Sequence, residues 1–324
     1  MKMTVIKLIG FGIVLTGLLS TTGCELNNNP DPGNQKLTHK DSLCIMLLSN
    51  VRQDSIGLTV DKLTEFSSRF ALAPNRKEIA LAIRDMFKKV GYENAAIDSF
   101  QASKTWNGQD YTTWQYNVIA ELEGTVHPDS VNIVCAHYDD IVTNGDPFTH
   151  APGANDNASG VAGMIEVARV MKYTGYKPAI STRFVALAAE EIGLLGSADF
   201  AGKLALSGKP VNIVINHDMI AKVNNPNYLF WTMKIIFNAN SFSLANGTSS
   251  LCSKYIGIYV LGDSTKSRKV DSYPFSQKGF KAMSFTSADS DINYHTTNDL
   301  TIYCNIDYSS LITGLSCVTL VYHD

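Results

Sequence analysis

The chain has 324 residues, 45% of them hydrophobic and 18% charged, with a formal net charge of −3 at pH 7. That is ordinary globular composition, enough for one large domain or two small ones. It offers no basic surface for nucleic acid, no long charge run and no internal repeat.

In chain order, Lys2 and Lys7 flank the start of an apolar run over residues 9–20 that is too short for a permanent membrane span. "TTGC" follows and ends at Cys24. Small residues before a cysteine resemble a bacterial lipoprotein signal, although Thr21 stands where such signals usually carry leucine. The resemblance implies a signal peptide over 1–23 and lipidation of Cys24. The product would be exported to the bacterial cell envelope and held to the membrane by its lipid anchor only, in a leaflet left open. Ordinary secretion with cleavage nearby is the alternative. Residues 24–38 read as a polar tether, since "ELNNNPDPGNQK" has too little apolar content to pack. Residues 39–324 remain as one catalytic domain. Its five cysteines, Cys44, Cys135, Cys252, Cys304 and Cys317, show no CxxC spacing, and their odd number leaves at least one thiol free within a single chain.

Helices are predicted over 39–50 and 57–70. A clear amphipathic helix follows in "PNRKEIALAIRDMFKKVGYE", where Ile79, Ala80, Ile83, Met86 and Phe87 share a face and Gly91 ends it. "AAIDSFQA" and "WQYNVIAELEG" read as neighbouring strands, and "SVNIVCAHYDD" as a strand ending in His and Asp. The helix "NASGVAGMIEVARVMKY", strand "STRFVALAAEE", helix "LLGSADFAGKLA" and strand "VNIVINHDMI" come next. Residues 221–270 are less regular and read as a loop-rich insertion over the site. The strand "KAMSFTSA" and the helix "YSSLITGLSCVTLVYH" close the chain. This alternation predicts an α/β three-layer sandwich with a mixed, largely parallel central sheet.

Ionisable residues gather at the predicted strand ends. Glu190 and Glu191 close a buried apolar strand just before a turn at Gly193. His137 and Asp139 follow "NIVCA", Asp156 lies in "PGANDNASG" before a helix, Asp218 follows "VNIVIN", and His295 lies in "NYHTTND". Each alone suits a solvated loop. Together they sit where open α/β sheets place ligands, and mixed imidazole and carboxylate donors suit Zn²⁺.

From about Asn117 onward, the ordered set "AHYDD", "GANDNASG", "AAEEIGLLGS", "NHDMI" and "YHTTND" resembles the zinc metallopeptidases typified by bacterial leucyl aminopeptidases. The resemblance implies a phosphorylase/hydrolase-like zinc exopeptidase fold. It implies two zinc ions bridged by Asp156, one completed by His137 and Asp218, the other by Glu191 and His295. Glu190 would be the general base and Asp139 would orient the His137 ring. The peptide bond after Asp156 would be cis, and the substrates peptides with a free N-terminus. Departures also stand in the chain. "VDSYPF" carries Ser272 where the family commonly has a ring, so Asp271 and Tyr273 receive no role, and His217 occupies a variable position. Glutaminyl cyclases share the fold and most of these ligands but resemble acyltransferases with one zinc. Their His motif usually has Trp before the His, where this chain has Tyr294. A non-catalytic peptide-binding relative is the third reading, and retention of Glu190 and all five ligands speaks against it.

Overall fold

The structure is a computed structural model that describes residues 37–265 and 267–324. The signal peptide, Cys24 and nearly all of the tether lie outside the described residues. All regular elements among the described residues belong to one compact unit, Thr38–Asp324. Among the described residues, no helix is long and apolar enough to cross a membrane.

Three helices come first: α1 (His39–Leu48), α2 (Gln53–Thr64) and α3 (Arg76–Lys89). Thr38 and Asp41 close a reciprocal capping box at the start of α1. The second helix stops at Thr64, six residues short of its predicted end. The chain after it runs beneath the site loops instead: Ser68 bridges to Ala151, and the Arg69 side chain is buried among main-chain carbonyls. Those tertiary bonds outcompete continuation of the helix.

The strands are β1 (Ala96–Trp106), β2 (Gln109–Leu122), β3 (His127–His137), β4 (Ile180–Leu187), β5 (Val211–His217), β6 (Thr232–Phe237), β7 (Tyr259–Asp263) and β8 (Ala282–Ser287). They form one sheet in the order β1-β2-β4-β3-β5-β8-β6-β7. The four central strands β4, β3, β5 and β8 run parallel, so all end at one edge. Their near-continuous apolar runs follow from burial on both faces. Val134 and Ala136 of β3 face the larger core, with α4 (Gly160–Tyr173) and α8 (Ile306–Tyr322). Val131, Ile133 and Cys135 point the other way, against α5 (Leu195–Ser207) and α7 (Ser272–Gln277). Helices thus cover both faces, as an α/β three-layer sandwich requires.

Residues 221–270 are not the loop-rich insertion that the sequence suggests. They supply β6, α6 (Phe242–Tyr255) and β7, with β6 antiparallel to β8. The signal is weak for physical reasons. β7 is an exposed edge strand of five residues, and α6 is rich in Ser, Thr, Asn and Gly, which form helices poorly. Its Leu244, Ala245, Leu251 and Cys252 hold it by packing into the core. The five described cysteines are free thiols, four of them buried.

Candidate metal centre

Every predicted ligand lies at the C-terminal edge of the parallel strands. His137 is the last residue of β3, Glu190 and Glu191 follow β4, Asp218 follows β5, and His295 lies beyond β8. Asp156 sits in an irregular turn, Ala154–Ser159, that leads into α4. The Asp156–Asn157 peptide bond is cis. Three ligand corners use left-handed backbone at non-glycine residues: Ala189 (φ 60°), Met219 (φ 54°) and His295 itself (φ 55°). Such residues cost about 1–3 kcal/mol each and persist only where the surroundings over-determine them.

The surroundings do so through buried polar side chains. The Asp299 carboxylate accepts the main-chain N–H groups of Asn155 (2.8 Å) and Asp156 (2.9 Å). The turn then holds the Asp218 corner in register. Met219, Ile220 and Ala221 donate their N–H groups in succession to Asn157 Oδ1, Ser159 Oγ and Asn155 Oδ1, at 3.0–3.1 Å. The polar letters of "NDNAS" therefore have a structural task beyond the ligand itself. Asn117 secures the Glu-Glu turn by accepting the Ala188 N–H (2.9 Å) and donating to the Gly196 carbonyl (3.1 Å).

The ligand atoms form two groups with one shared member. His137 Nε2 lies 3.3 Å from Asp156 Oδ1 and 3.7 Å from Asp218 Oδ1. His295 Nε2 lies 3.1 Å from Asp156 Oδ2 and 3.1 Å from Glu191 Oε1. Asp156 thus presents one oxygen to each histidine. In each group one atom per residue can be chosen so that all lie within 4.8 Å of one another, as is also true of His137, Glu190 and Glu191. Geometry alone puts Glu190 within reach of the cluster, as ligand or as base.

Asp139 stands beside the His137 ring, with its Oδ1 3.7 Å from Nδ1. Its main-chain carbonyl lies closer, 3.1 Å from Nδ1. The carboxylate oxygens are taken by the consecutive N–H groups of Glu190 (3.0 Å) and Glu191 (3.1 Å). Residue 139 therefore supports both halves of the site, with its backbone on one side and its side chain on the other. His217 turns away: its Nε2 lies 2.6 Å from Ser316 Oγ in the core, and burial lowers its pKa to about 4.

Burial drives the electrostatics, and the crowding of charge decides each sign. Burial, with Glu191 nearby, pushes the Glu190 carboxyl well above the usual range. Burial and the Asp156 carboxylate raise Glu191 to about 8. Burial alone would lower His295, but Asp156 and Glu191 outweigh it and raise the ring to about 10. Burial would raise Asp156, but His137 and His295 hold it below the usual range. Four close carboxylates facing two imidazoles form a donor set short of positive charge. This set of oxygens and ring nitrogens fits zinc.

Arg69 is the residue that sequence reasoning missed most completely. It is 1% exposed. It donates from Nε to the Tyr138 carbonyl (2.8 Å), from Nη1 to those of Leu63 (3.1 Å) and Pro152 (2.8 Å), and from Nη2 to that of Gly153 (2.7 Å). Its Nη1 also lies 3.2 Å from the Asp140 carboxylate. It thereby ties the strand end beside His137 to the loop before Asp156. No pattern marks a lone arginine after a helix, whereas the polar letters packed among small residues in "GANDNASG" were a visible signal. Gly153 has no room for a side chain here: a Cβ would lie 2.4 Å from the Asp156 carbonyl oxygen and 2.8 Å from Arg69 Nη2. Arg69→Ala is expected to destabilise the protein by about 3–5 kcal/mol, because it strands Asp140 as a buried charge. Denaturant unfolding checks this. Arg69→Lys should recover only part, since a point charge cannot make the planar fork of bonds.

Comparison with known proteins places this geometry in a family. The model of peptidase family M28 matches residues 117–315, and the chain belongs to that family. A probable aminopeptidase of Saccharomyces cerevisiae is 28% identical over 190 residues, which is 55% of this chain and 48% of the relative. The chain spans about half, or less, of the length of the first curated relatives it matches. Among solved structures, the Legionella pneumophila LapA aminopeptidase superposes with a TM-score of 0.73 at 21% identity, over 88% of this chain and 75% of that one. A Bacteroides thetaiotaomicron glutaminyl cyclase does so with a TM-score of 0.66 at 16% identity, over 85% and 99%. At these identities the likeness is one of fold.

Proposed function

We propose that this member of peptidase family M28 is an exported di-zinc aminopeptidase that hydrolyses the N-terminal bond of peptides. One observation carries the reading: the two Asp156 oxygens face two histidines, each 3.1–3.3 Å away, and each pair has its own further carboxylate. A carboxylate so placed can bridge metals about 3.5–4 Å apart. His137, Asp156 and Asp218 would hold one zinc, and Asp156, Glu191 and His295 the other. Bound zinc would supply Lewis acidity toward the scissile carbonyl and would acidify a water toward neutral pH.

The chain's own residues do the rest. Glu190 takes the proton of the attacking water and returns it to the leaving amine. Burial and the neighbouring Glu191 push its carboxyl above the usual range in the metal-free protein, and a base so positioned beside the water is what the proton transfer needs. Asp139 fixes the Glu-Glu turn, so that Glu191 serves a metal while Glu190 faces the water. Tyr294 stacks on the His295 ring, with centroids 3.7 Å apart, and shields that ligand from one side.

Zinc analysis of the purified protein together with an amino-acid-anilide and peptide panel tests the proposal. We expect about two zinc ions per chain and release of free N-terminal residues. One ion per chain, with pyroglutamate formed from N-terminal glutamine and no peptide hydrolysis, would establish the cyclase reading instead. For export, we propose acylation at Cys24. Mass spectrometry of membrane-extracted protein should find it, and an unmodified N-terminus beyond residue 24 would refute it.

A further inference from the structure

The cavity against the cluster contains two lysines that the proposed reaction does not use. Its volume is about 520 Å³, ample for a short peptide. Besides ligands, Lys234, Ile236, Lys269, Val270 and Thr286 line it. Lys234 is held there by strand alternation. Its neighbours Met233 and Ile235 are buried in the main core, so Lys234 and Ile236 face the opposite way, into the cavity. Thr286 of β8 stands directly across from Lys234.

Nearby cations have different partners. Lys222 lies 3.7 Å from Asp291, which also accepts from Asn155. Lys234 and Lys269 have no ion-pair partner among the described residues. The other acid of the lining, Asp289, accepts the Asn224 N–H at 2.6 Å. Nor does the cluster need these lysines for charge balance. With zinc bound and all four ionised, Asp156, Glu190, Glu191 and Asp218 would present four negative charges, which two divalent ions would cancel. Asp289 offsets one lysine, and a positive charge is left over beside Ile236 and Val270. A half-buried ammonium with no fixed counterion favours an anionic ligand group.

We propose that this cavity binds a carboxylate of the substrate, held by half-buried Lys234 with exposed Lys269 beside it, and so selects acidic or very short peptides. The inference rests on the peptidase reading for its substrate class. The carboxylate has two possible sources, an acidic side chain next to the scissile bond or the C-terminus of a dipeptide. Two substrate pairs separate them: aspartyl against asparaginyl anilide, and Leu-Gly against Leu-Gly amide.

Binding is measured by calorimetry on zinc-loaded Glu190→Gln protein, and hydrolysis on the wild type. We expect the charged member of at least one pair to be favoured by about tenfold or more, the usual worth of a charge-assisted hydrogen bond. Lys234→Met should bring that ratio toward one, and Lys234→Glu should reverse it, with zinc content as the check on folding. Equal binding within both pairs, or a preference that survives Lys234→Met, overturns the proposal. A Lys234-dependent binding preference without any peptide hydrolysis would uphold the carboxylate site and overturn the aminopeptidase reading.

Discussion

Glu190→Gln should lower kcat by about 10²–10⁴, the span a positioned general base contributes, while zinc content stays at the wild-type value. The substitution keeps the size of the side chain and removes only its basicity. The main-chain N–H of residue 190 still donates to Asp139, so the turn that carries Glu191 keeps its anchor. The zinc-free protein should gain stability at neutral pH, because the buried Glu190 carboxyl, with its raised pKa, has to take up a proton on folding and glutamine does not. KM should change little if Glu190 acts only on the proton. Zinc analysis beside steady-state kinetics separates the possible roles. Glu190 also stands within ligand distance of His137 and Glu191, so loss of metal from this variant alone would show that the two glutamates exchange roles.

The candidate ligands His137, Glu191 and Asp218 were legible because each stands at a chain corner where an apolar run breaks abruptly. "NIVCAH", "FVALAAEE" and "VNIVINHD" are buried strands ending in groups that cannot stay buried without partners. A parallel sheet brings such ends together, so the pattern predicts convergence as well as strands. The supports of the site were less visible. Asp299 lies inside the quoted motif "YHTTND", yet its bonds to the Asp156 turn depend on a loop returning across 143 residues. Arg69 depends on α2 ending early, and local propensity favours a longer helix. The irregular reading of 221–270 failed because edge strands and Ser-rich helices are fixed by tertiary contact rather than by period. That failure bears on function, since β6 from this region carries Lys234 and Ile236 into the cavity.

Asp156→Ala should cost both zinc ions and reduce turnover to background, a larger loss than at any other ligand position. His137 and Asp218 share one group, and Glu191 and His295 the other, so removing any of these four should empty or weaken one site. Asp156 alone belongs to both. Asp156→Asn makes the test sharper. It keeps the shape of the side chain but offers one oxygen, and its amide nitrogen cannot bind a metal as a carboxylate does. It should therefore retain one zinc at most. Thermal unfolding with and without a chelator gives a readout independent of catalysis. A metal at a hundredfold excess over its Kd stabilises the folded state by about 2.7 kcal/mol, so the wild type should melt lower after chelation. The Asp156→Ala protein should melt at the same temperature either way. Two zinc ions retained in that variant, or a chelator response equal to that of the wild type, would show that the carboxylate between the two histidines does not bridge metals.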